Sequence, residues 1–172
     1  MRKDCVVVIA PACAGKTHLA NLNPRVLDLG PMEFTAIEEC PEKDLAETQK
    51  DIIHTNPKWP LNYFNAIKAC CQSGKYDIVC GAFLIELVED PEFARLLEQS
   101  KLQFRIAIPN LTAADAIVQR MHKRGNNPNF ISRVKNALPA IIAEFGKDKY
   151  NAIIINDDEF LEHALKRVGL LK

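Results

Sequence analysis

The chain has 172 residues, a length that fits one domain, or one domain with a small lid. Hydrophobic residues make up 48% of the sequence, and the 22 basic residues balance the 22 acidic residues. This composition predicts a folded protein with a substantial core, and its whole-chain charge gives no case for bulk binding to nucleic acid or membranes.

The apolar runs and the cysteines indicate the cellular compartment in which the protein works. No apolar run approaches the ~20 residues that a membrane-spanning helix needs, and the first residues lack the pattern of a secretory signal. The six cysteines include no CxxC pair with metal-ligand spacing, which favours free thiols in a reducing compartment. We therefore expect a soluble, cytoplasmic protein with no membrane partner.

The first apolar run, Cys5–Ala10, predicts a buried strand, and the segment APACAGKT begins at its end. The P-loop pattern is GxxxxGK[ST] between a strand and a helix. Ala10 replaces the first glycine of this pattern, whereas Gly15, Lys16 and Thr17 match its end. The proline after Ala10 restricts that residue to extended backbone, which suits a strand end. The context favours a phosphate-binding loop.

Each matched residue of the loop has a mechanical role. Gly15 lets the backbone approach phosphate oxygens closely, and the start of the following helix adds partial positive charge. Lys16 is predicted to reach the β- and γ-phosphates, and the Thr17 hydroxyl to ligate Mg²⁺. The loop residues predicted to bind the nucleotide are Ala12, Cys13, Ala14, Gly15, Lys16 and Thr17.

The next strand, Arg25–Leu29, is more weakly predicted and contains Asp28 near its end. A carboxylate at this edge of a parallel sheet faces the crevice where ligands bind. It can accept a proton from an acceptor hydroxyl or hold Mg²⁺ through water. An aspartate that starts a turn before Gly30 explains the residue equally well.

The middle of the chain is predicted to add two helices and a third strand. Lys43–His54 and Leu61–Gln72 have helical patterns, and Ile78–Phe83 is typical of a buried strand. Asp77 lies at the beginning of this strand, at the edge opposite the phosphate loop. No acid therefore takes the usual Walker B position after the third strand.

The following segment is predicted to contain a short helix, a strand and a longer helix. These are Pro91–Gln99, Phe104–Ile108 and Ala113–Arg124. Thr112 is the predicted N-cap of the longer helix, and Gly125-Asn126 is its predicted end.

The last part of the chain begins with a helix that starts at Asn127-Pro128 and runs to about Phe145. The strand Ala152–Ile155 and the helix Glu159–Val168 complete the chain. Strands that alternate with helices imply right-handed crossovers and a parallel sheet, and hence an α/β fold. No repeat or linker is present, so residues 1–172 are predicted to form a single domain.

Five basic residues and no acidic residue occur between Ile117 and Asn136; they are Arg120, Lys123, Arg124, Arg133 and Lys135. Arg120 and Arg124 are four residues apart on one predicted helix, and hence on one face. Two guanidinium groups there can clamp a transferring phosphoryl group. Cations near a helix C-terminus also favour the helix dipole, and this alternative stays open.

The segments APACAGKT, YDIVCGAF and RIAIPNLTAADAIVQRMHKRGNNPNFI resemble the adenylate-kinase-like nucleotide and nucleoside kinases, and among them the small P-loop kinases of bacteriophages. The resemblance covers most of the chain and is least in residues 30–60. It implies a three-layer αβα P-loop NTPase fold, with a five-stranded parallel sheet and a short helical lid at about 117–136. The matching residues are Pro109 at the end of the fourth strand and, in the lid, Arg120, Arg124, Gly125, Asn126, Phe130 and Ile131.

In such kinases lid arginines contact ATP phosphates or stack near adenine, and the loop after the last strand lies near the base. The resemblance therefore implies that Asn156 binds the nucleotide. Phe34, Trp59 and Tyr63 lie where these kinases build the acceptor pocket. They are candidates to stack on a base, although ordinary packing explains each of them equally well.

We expect an ATP-dependent phosphotransferase that requires Mg²⁺ and acts on a nucleoside monophosphate or a nucleoside. Its predicted catalytic residues are Lys16, Asp28, Arg120 and Arg124. Asp28 is expected to orient or deprotonate the acceptor. The NKxD and DxxG motifs of switch GTPases are missing, which argues against a GTPase of that type.

One alternative to this function is a kinase of hydroxymethylated pyrimidine in phage DNA, working in the host cytoplasm. Another is a non-catalytic nucleotide-binding module, which the altered first glycine and the missing Walker B acid leave open.

Overall fold

A computed structural model describes residues 5–35 and 56–172, in which strands alternate with helices along the chain. The five strands in these two ranges are β1 (Val6–Ile9), β2 (Val26–Asp28), β3 (Ile78–Gly81), β4 (Phe104–Pro109) and β5 (Ile153–Ile155). The α-helices are α1 (Lys16–Leu22), α2 (Met32–Thr35), α3 (Leu61–Gln72), α4 (Leu84–Glu89), α5 (Pro91–Gln99), α6 (Leu111–Arg124), α7 (Pro128–Phe145) and α8 (Leu161–Arg167). A 3-10 turn, Asp148–Tyr150, precedes β5.

The strands form one parallel sheet in the order β2-β3-β1-β4-β5. The register aligns Ile9 at the end of β1 with Gly81 of β3. It aligns Asp28 at the end of β2 with Cys80 of the same neighbour. The carboxyl ends of β1, β2 and β3 therefore lie side by side, which is where ligands bind in open α/β sheets.

Helices cover both faces of the sheet, because successive strand residues point to opposite sides. Val7 and Ile9 of β1 belong to an apolar cluster shared with α3, α5 and α7. Val8 of the same strand belongs to a second cluster shared with α1 and α8. The strands are apolar on both faces, and the architecture has three layers, αβα.

Helices α6 and α7 form a hairpin with a small core of its own. Ile117 and Met121 of α6 pack against Ile131, Val134 and Leu138 of α7, all of them buried. The predicted lid, residues 117–136, falls on the end of α6 and the beginning of α7. This cluster also packs against the phosphate loop and α4, so the hairpin lies directly over the loop.

All five predicted strands are confirmed; four are slightly shorter than predicted, and β4 extends one residue further, to Pro109. The helix α5 has the predicted bounds, and α3 does as well. The predicted cap of α6 is wrong: the N-cap is Asn110, whose side chain accepts the backbone N–H of Ala113 at 2.7 Å, and Thr112 lies inside the first turn. The helix predicted over Lys43–His54 lies outside the described residues.

Two helices of the structure, α2 and α4, were not predicted. Helix α4 follows β3 after only two residues, so its apolar residues continue the run that predicts the strand. Within the described ranges, no helix combines the length and apolar character that crossing a bilayer requires.

Candidate functional site

The segment between β1 and α1 is a tight loop that ends at the first turn of a helix. Ala10 is fully buried and continues the sheet, with its N–H donating to the Gly81 carbonyl at 3.0 Å. Its φ is not positive, so this position does not need glycine. The substitution of the first P-loop glycine is therefore compatible with the course of the backbone.

Two residues in left-handed conformations turn the loop: Cys13, with φ 56°, and Gly15, with φ 97°. A Cβ on Gly15 would lie 3.0 Å from Cδ1 of Phe160. Gly15 is thus required both by its backbone and by the close approach of this ring. The loop is also tied to the segment after β5, because the N–H of Leu161 donates to the Ala14 carbonyl at 2.8 Å.

The ammonium group of Lys16 lies against the loop itself. Nζ donates to the Pro11 carbonyl at 2.6 Å and is 3.3 Å from the Ala10 carbonyl. Burial lowers the pKa of Lys16, and nearby Arg124 adds to this, while Asp28 opposes it. An ammonium group has three N–H donors, so one of them is left for a phosphate oxygen.

Thr17 and Asp28 meet across the gap between α1 and β2. The Thr17 hydroxyl donates to Oδ2 of Asp28 at 2.6 Å, and Oδ1 of Asp28 is buried without a hydrogen-bond partner. A hydroxyl and a carboxylate with a free oxygen suit Mg²⁺, which takes one or two protein oxygens and keeps water and phosphate as its other ligands. The two residues therefore fit this ion.

A larger metal-binding cluster is not found: in residues 5–35 and 56–172, no three His, Cys, Asp or Glu side chains come together in a way that could hold a metal ion. The donor set of Thr17 and Asp28 suits an ion held mainly by a nucleotide's phosphates and by water.

Arg120 and Arg124 project from the last turns of α6 towards the loop. The guanidinium carbon of Arg120 lies 4.2 Å from the centre of the Phe160 ring, a cation–π contact. Arg124 is exposed, and its positive charge contributes to lowering the pKa of Lys16. The structure therefore brings both predicted arginines to the phosphate loop.

One cavity of about 490 Å³ joins these groups. On one side it is bounded by the loop, by both arginines and by Phe160. On another side it is bounded by Asp28, Gly30 and Pro31 after β2. The third side is formed by α4 and α7, a surface that we call the α4–α7 wall; its residues are Leu84, Ile85, Glu86, Phe130, Val134, Leu138 and Ile141.

Glu86 of the α4–α7 wall was missed by sequence reasoning. Its side chain is buried, with 6% exposure for the residue. Burial raises the pKa of its carboxyl, although its own backbone N–H and Arg133 oppose the shift. The signal in the sequence was an acid five residues after the β3 strand, inside the apolar run LIELV.

The predicted acceptor aromatics do not line this cavity. Tyr63 is fully buried and donates its hydroxyl to the Leu29 carbonyl at 2.7 Å. Trp59 stacks on the Tyr63 ring at 5.5 Å between centroids, and Phe34 lies 5.2 Å from it. The three rings belong to the core beneath the carboxyl end of β2, and their role in binding an acceptor stays a prediction.

Asn156, predicted to bind the nucleotide, is exposed and does not line the cavity either. Its backbone N–H donates to Oε2 of Glu159 at 2.9 Å, which closes the turn after β5. The residue of this segment that reaches the cavity is Phe160, four positions later. The binding role of Asn156 stays a prediction.

No known family model and no curated protein sequence matches this chain. Solved structures that are similar over nearly its whole length include a tunicamycin resistance protein and a gluconokinase. The tunicamycin resistance protein of Deinococcus radiodurans has a TM-score of 0.59 and 15% identity, covering 98% of this chain and 97% of its own. A gluconokinase from Sinorhizobium meliloti 1021 has a TM-score of 0.55 and 13% identity, covering 98% and 92%. At this identity the likeness establishes the fold alone: the chain has the three-layer αβα fold seen in P-loop kinases.

Proposed function

We propose that the protein is an ATP-dependent phosphotransferase. The observation that carries the proposal is the shared cavity, in which Lys16, the Thr17–Asp28 pair and two arginines converge beside a helix N-terminus. Phosphoryl transfer needs little beyond this set of groups, because catalysis consists of positioning and charge stabilisation. The gluconokinase with the same fold supports a phosphotransferase in general terms.

The residues divide into three tasks. The loop N–H groups and Lys16 hold the β- and γ-phosphates of ATP. Thr17 and Asp28 hold Mg²⁺, which neutralises charge on those phosphates when it is bound. Arg120 and Arg124 stabilise the charge that spreads over the transferred group, and the Arg120–Phe160 stack lies at the cavity edge available to the base.

The acceptor in this proposal is a nucleoside monophosphate or a nucleoside, and the specific likeness to the bacteriophage kinases rests on the hairpin segment. A hydroxymethylated pyrimidine in DNA is the second candidate. It is favoured by the exposed cations on the hairpin, among them Lys123 and Lys135. Binding to DNA through such residues would weaken steeply with salt, whereas a free nucleoside would respond little.

The test is ADP formation from Mg-ATP with a panel of nucleosides, nucleotides and DNA that contains hydroxymethylated pyrimidines. Turnover that depends on one acceptor supports the proposal. Lys16→Ala is expected to lower this turnover about 100-fold or more, the range seen when one charge-stabilising donor is lost. Lys68→Ala, an exposed change on α3, is the matched control.

Two outcomes contradict the proposal. Nucleotide binding without turnover for any acceptor leaves a binding module, the non-catalytic alternative. Unchanged turnover in Lys16→Ala contradicts the assignment of the site, even if the protein is a kinase.

A further inference from the structure

The α4–α7 wall differs chemically from the rest of the cavity. Leu84 and Ile85 of α4 and Val134, Leu138 and Ile141 of α7 give it a continuous apolar surface. Apart from Glu86, none of the α4 and α7 side chains that line the cavity is polar. A surface of this kind binds a flat or apolar molecular body and few polar groups.

Glu86 shares its positively charged partner, Arg133, with Glu89. Nη2 of Arg133 lies 3.8 Å from its carboxylate but only 2.9 Å from that of Glu89, which is exposed. Arg133 is thus engaged first by Glu89. A buried carboxylate that shares its counter-charge with a second, closer carboxylate is destabilising, and such groups are concentrated at functional sites.

Charge is distributed unevenly around the cavity. In the described part of the chain, the Lys and Arg side chains that line it are Lys16, Arg120 and Arg124, all at the phosphate loop or the adjoining end of α6. Asp28 and Glu86 are its acids; Asp28 lies by Lys16 and Thr17, whereas Glu86 lies on the α4–α7 wall. A phosphate dianion placed on the α4–α7 wall would lie beside the Glu86 carboxylate and be repelled by it, and no Lys or Arg of α4 or α7 lines the cavity to compensate this repulsion.

We propose that the acceptor is a neutral molecule, whose hydroxyl group is bound by Glu86 and whose apolar body packs on the α4–α7 wall. This rests on the proposed phosphotransferase function and narrows it. Of the two acceptor classes in the proposed function, nucleosides are neutral and fit this proposal. Nucleoside monophosphates carry a phosphate group and do not fit it.

The phosphoryl transfer balances in atoms and electrons with ATP, the acceptor hydroxyl and Glu86 alone. The acceptor hydroxyl oxygen forms a bond to the γ-phosphorus of ATP, and the bond from that phosphorus to the β–γ bridging oxygen breaks. The electron pair of the broken bond stays on the ADP oxygen. The hydroxyl proton passes to the Glu86 carboxylate, which releases it to solvent after the product leaves.

The first test measures binding and does not depend on turnover. Each nucleoside and its own 5′-monophosphate are titrated into the protein by calorimetry, in the presence of Mg²⁺ and a non-hydrolysable ATP analogue. We expect one nucleoside to bind at least 10-fold more tightly than its monophosphate. Tighter binding of the monophosphates, or no binding of any nucleoside, overturns the inference.

The second test compares Glu86→Gln with Glu89→Gln. Both changes remove a carboxylate near Arg133, but only Glu86 lines the cavity. We expect Glu86→Gln to lower kcat/KM for the acceptor at least 100-fold while the KM for ATP stays within 2-fold. Glu89→Gln is expected to leave both unchanged. An equal loss in the two variants would assign the effect to Arg133 and overturn the role of Glu86.

Failure of this inference is distinguishable from failure of the proposed function. Turnover with a nucleoside monophosphate, or with DNA, keeps the phosphotransferase and refutes the neutral acceptor. Tight nucleoside binding without ADP formation supports the acceptor class and refutes the phosphotransferase.

Discussion

The contact between Thr17 and Asp28 is the smallest unit on which the proposed chemistry depends. One oxygen of Asp28 accepts the Thr17 hydroxyl at 2.6 Å, and the other is buried without a partner. A carboxylate held in this way is oriented before an ion arrives, which favours the magnesium role over the role of a proton acceptor. From the sequence both roles were possible and the acceptor role was preferred, whereas the contact with Thr17 supports the magnesium role.

Asp28→Asn separates the two roles. The amide keeps an acceptor oxygen for Thr17 and removes the charge, so we expect the Mg²⁺ concentration for half-maximal ADP formation to rise about 10–100-fold. Excess Mg²⁺ should restore much of the rate. If Asp28 instead accepts the proton, the rate falls at every Mg²⁺ concentration without recovery.

The control for this variant is Asp77→Asn, at the opposite edge of the sheet. Asp77 forms an exposed ion pair with Arg25, and such pairs contribute about 0–1 kcal/mol. Its loss should leave the Mg²⁺ titration unchanged. A shift as large as that of Asp28→Asn would mean that the effect is not local to the site.

Glu86 gives a second prediction, on stability. Its folded-state pKa is raised above the ordinary 4.5, so the folded chain binds this proton more tightly than the unfolded chain. The free energy of unfolding therefore falls as the pH rises from 4.5 through the folded-state pKa and stays low above it. The charged groups near it are Arg133, Glu89 and Asp90.

Glu86→Gln removes this penalty while lowering turnover. We expect its Tm at pH 8 to be a few degrees above that of the parent, since about 1 kcal/mol corresponds to about 2–4 °C in a domain of this size. The gain should shrink at pH 5. Calorimetry of both proteins at the two pH values checks this, and a Tm that falls at pH 8 would show that the carboxylate is structural.

At the scale of elements, the α6–α7 hairpin positions the two arginines. Helix α6 is followed by its C-cap, Gly125, which has φ 76° and open space where a Cβ would stand. Helix α7 is capped by Asn127, whose side chain accepts the N–H of Asn129 at 2.8 Å. The direction of this turn determines where the end of α6 points, and hence where Arg120 and Arg124 reach.

Gly125→Ala tests this turn. A left-handed alanine costs about 1–2 kcal/mol, or about 2–8 °C in Tm, and we expect the KM for ATP to rise about 3- to 10-fold as the arginines shift. Gly169→Ala is a matched control, because Gly169 has φ 73°, open space around it and no place in the cavity. It should lose similar stability with an unchanged KM. An unchanged KM in both variants contradicts a role for the hairpin in binding ATP.

The elements also explain which parts of the fold could be predicted. The strands are apolar on both faces, and the turn residues Gly125 and Pro128 bound the helices, so local pattern suffices for them. Helix α4 was missed because its apolar residues directly continue those of β3. Thr112 was predicted as the N-cap of α6, whereas the structure has Asn110 in that position. Both residue types are good N-caps, and only the backbone conformation distinguishes them.

The candidate site was predictable where a motif carries it and not elsewhere. The residues of APACAGKT, Asp28 and the two arginines all line the cavity or its loop, because their spacing encodes their geometry. Glu86 and Phe160 have no such spacing, and only tertiary packing brings them to the cavity. Tyr63 was predicted to line the acceptor pocket only from the resemblance to known kinases; its ring is fully buried in the core, and its role in binding an acceptor stays a prediction.

For the whole molecule, the cavity joins parts of the chain that are far apart in sequence. It is lined by the loop after β1, the end of β2, the α6–α7 hairpin and the segment after β5. A ligand that contacts all four ties together elements from both layers of helices. Its binding free energy therefore stabilises the entire fold rather than one loop.

Mg-ATP should accordingly raise the Tm of the whole chain in a single transition. At 100 times the dissociation constant the stabilisation is about 2.7 kcal/mol, which corresponds to a rise of about 5–10 °C. Lys16→Ala should lose most of this rise, since the ammonium group is buried at the phosphate loop, whereas Lys68→Ala on α3 should keep it. Scanning calorimetry with and without Mg-ATP measures both. A parent protein whose Tm does not respond to Mg-ATP would contradict nucleotide binding itself, because any ligand held by these four segments must favour the folded chain.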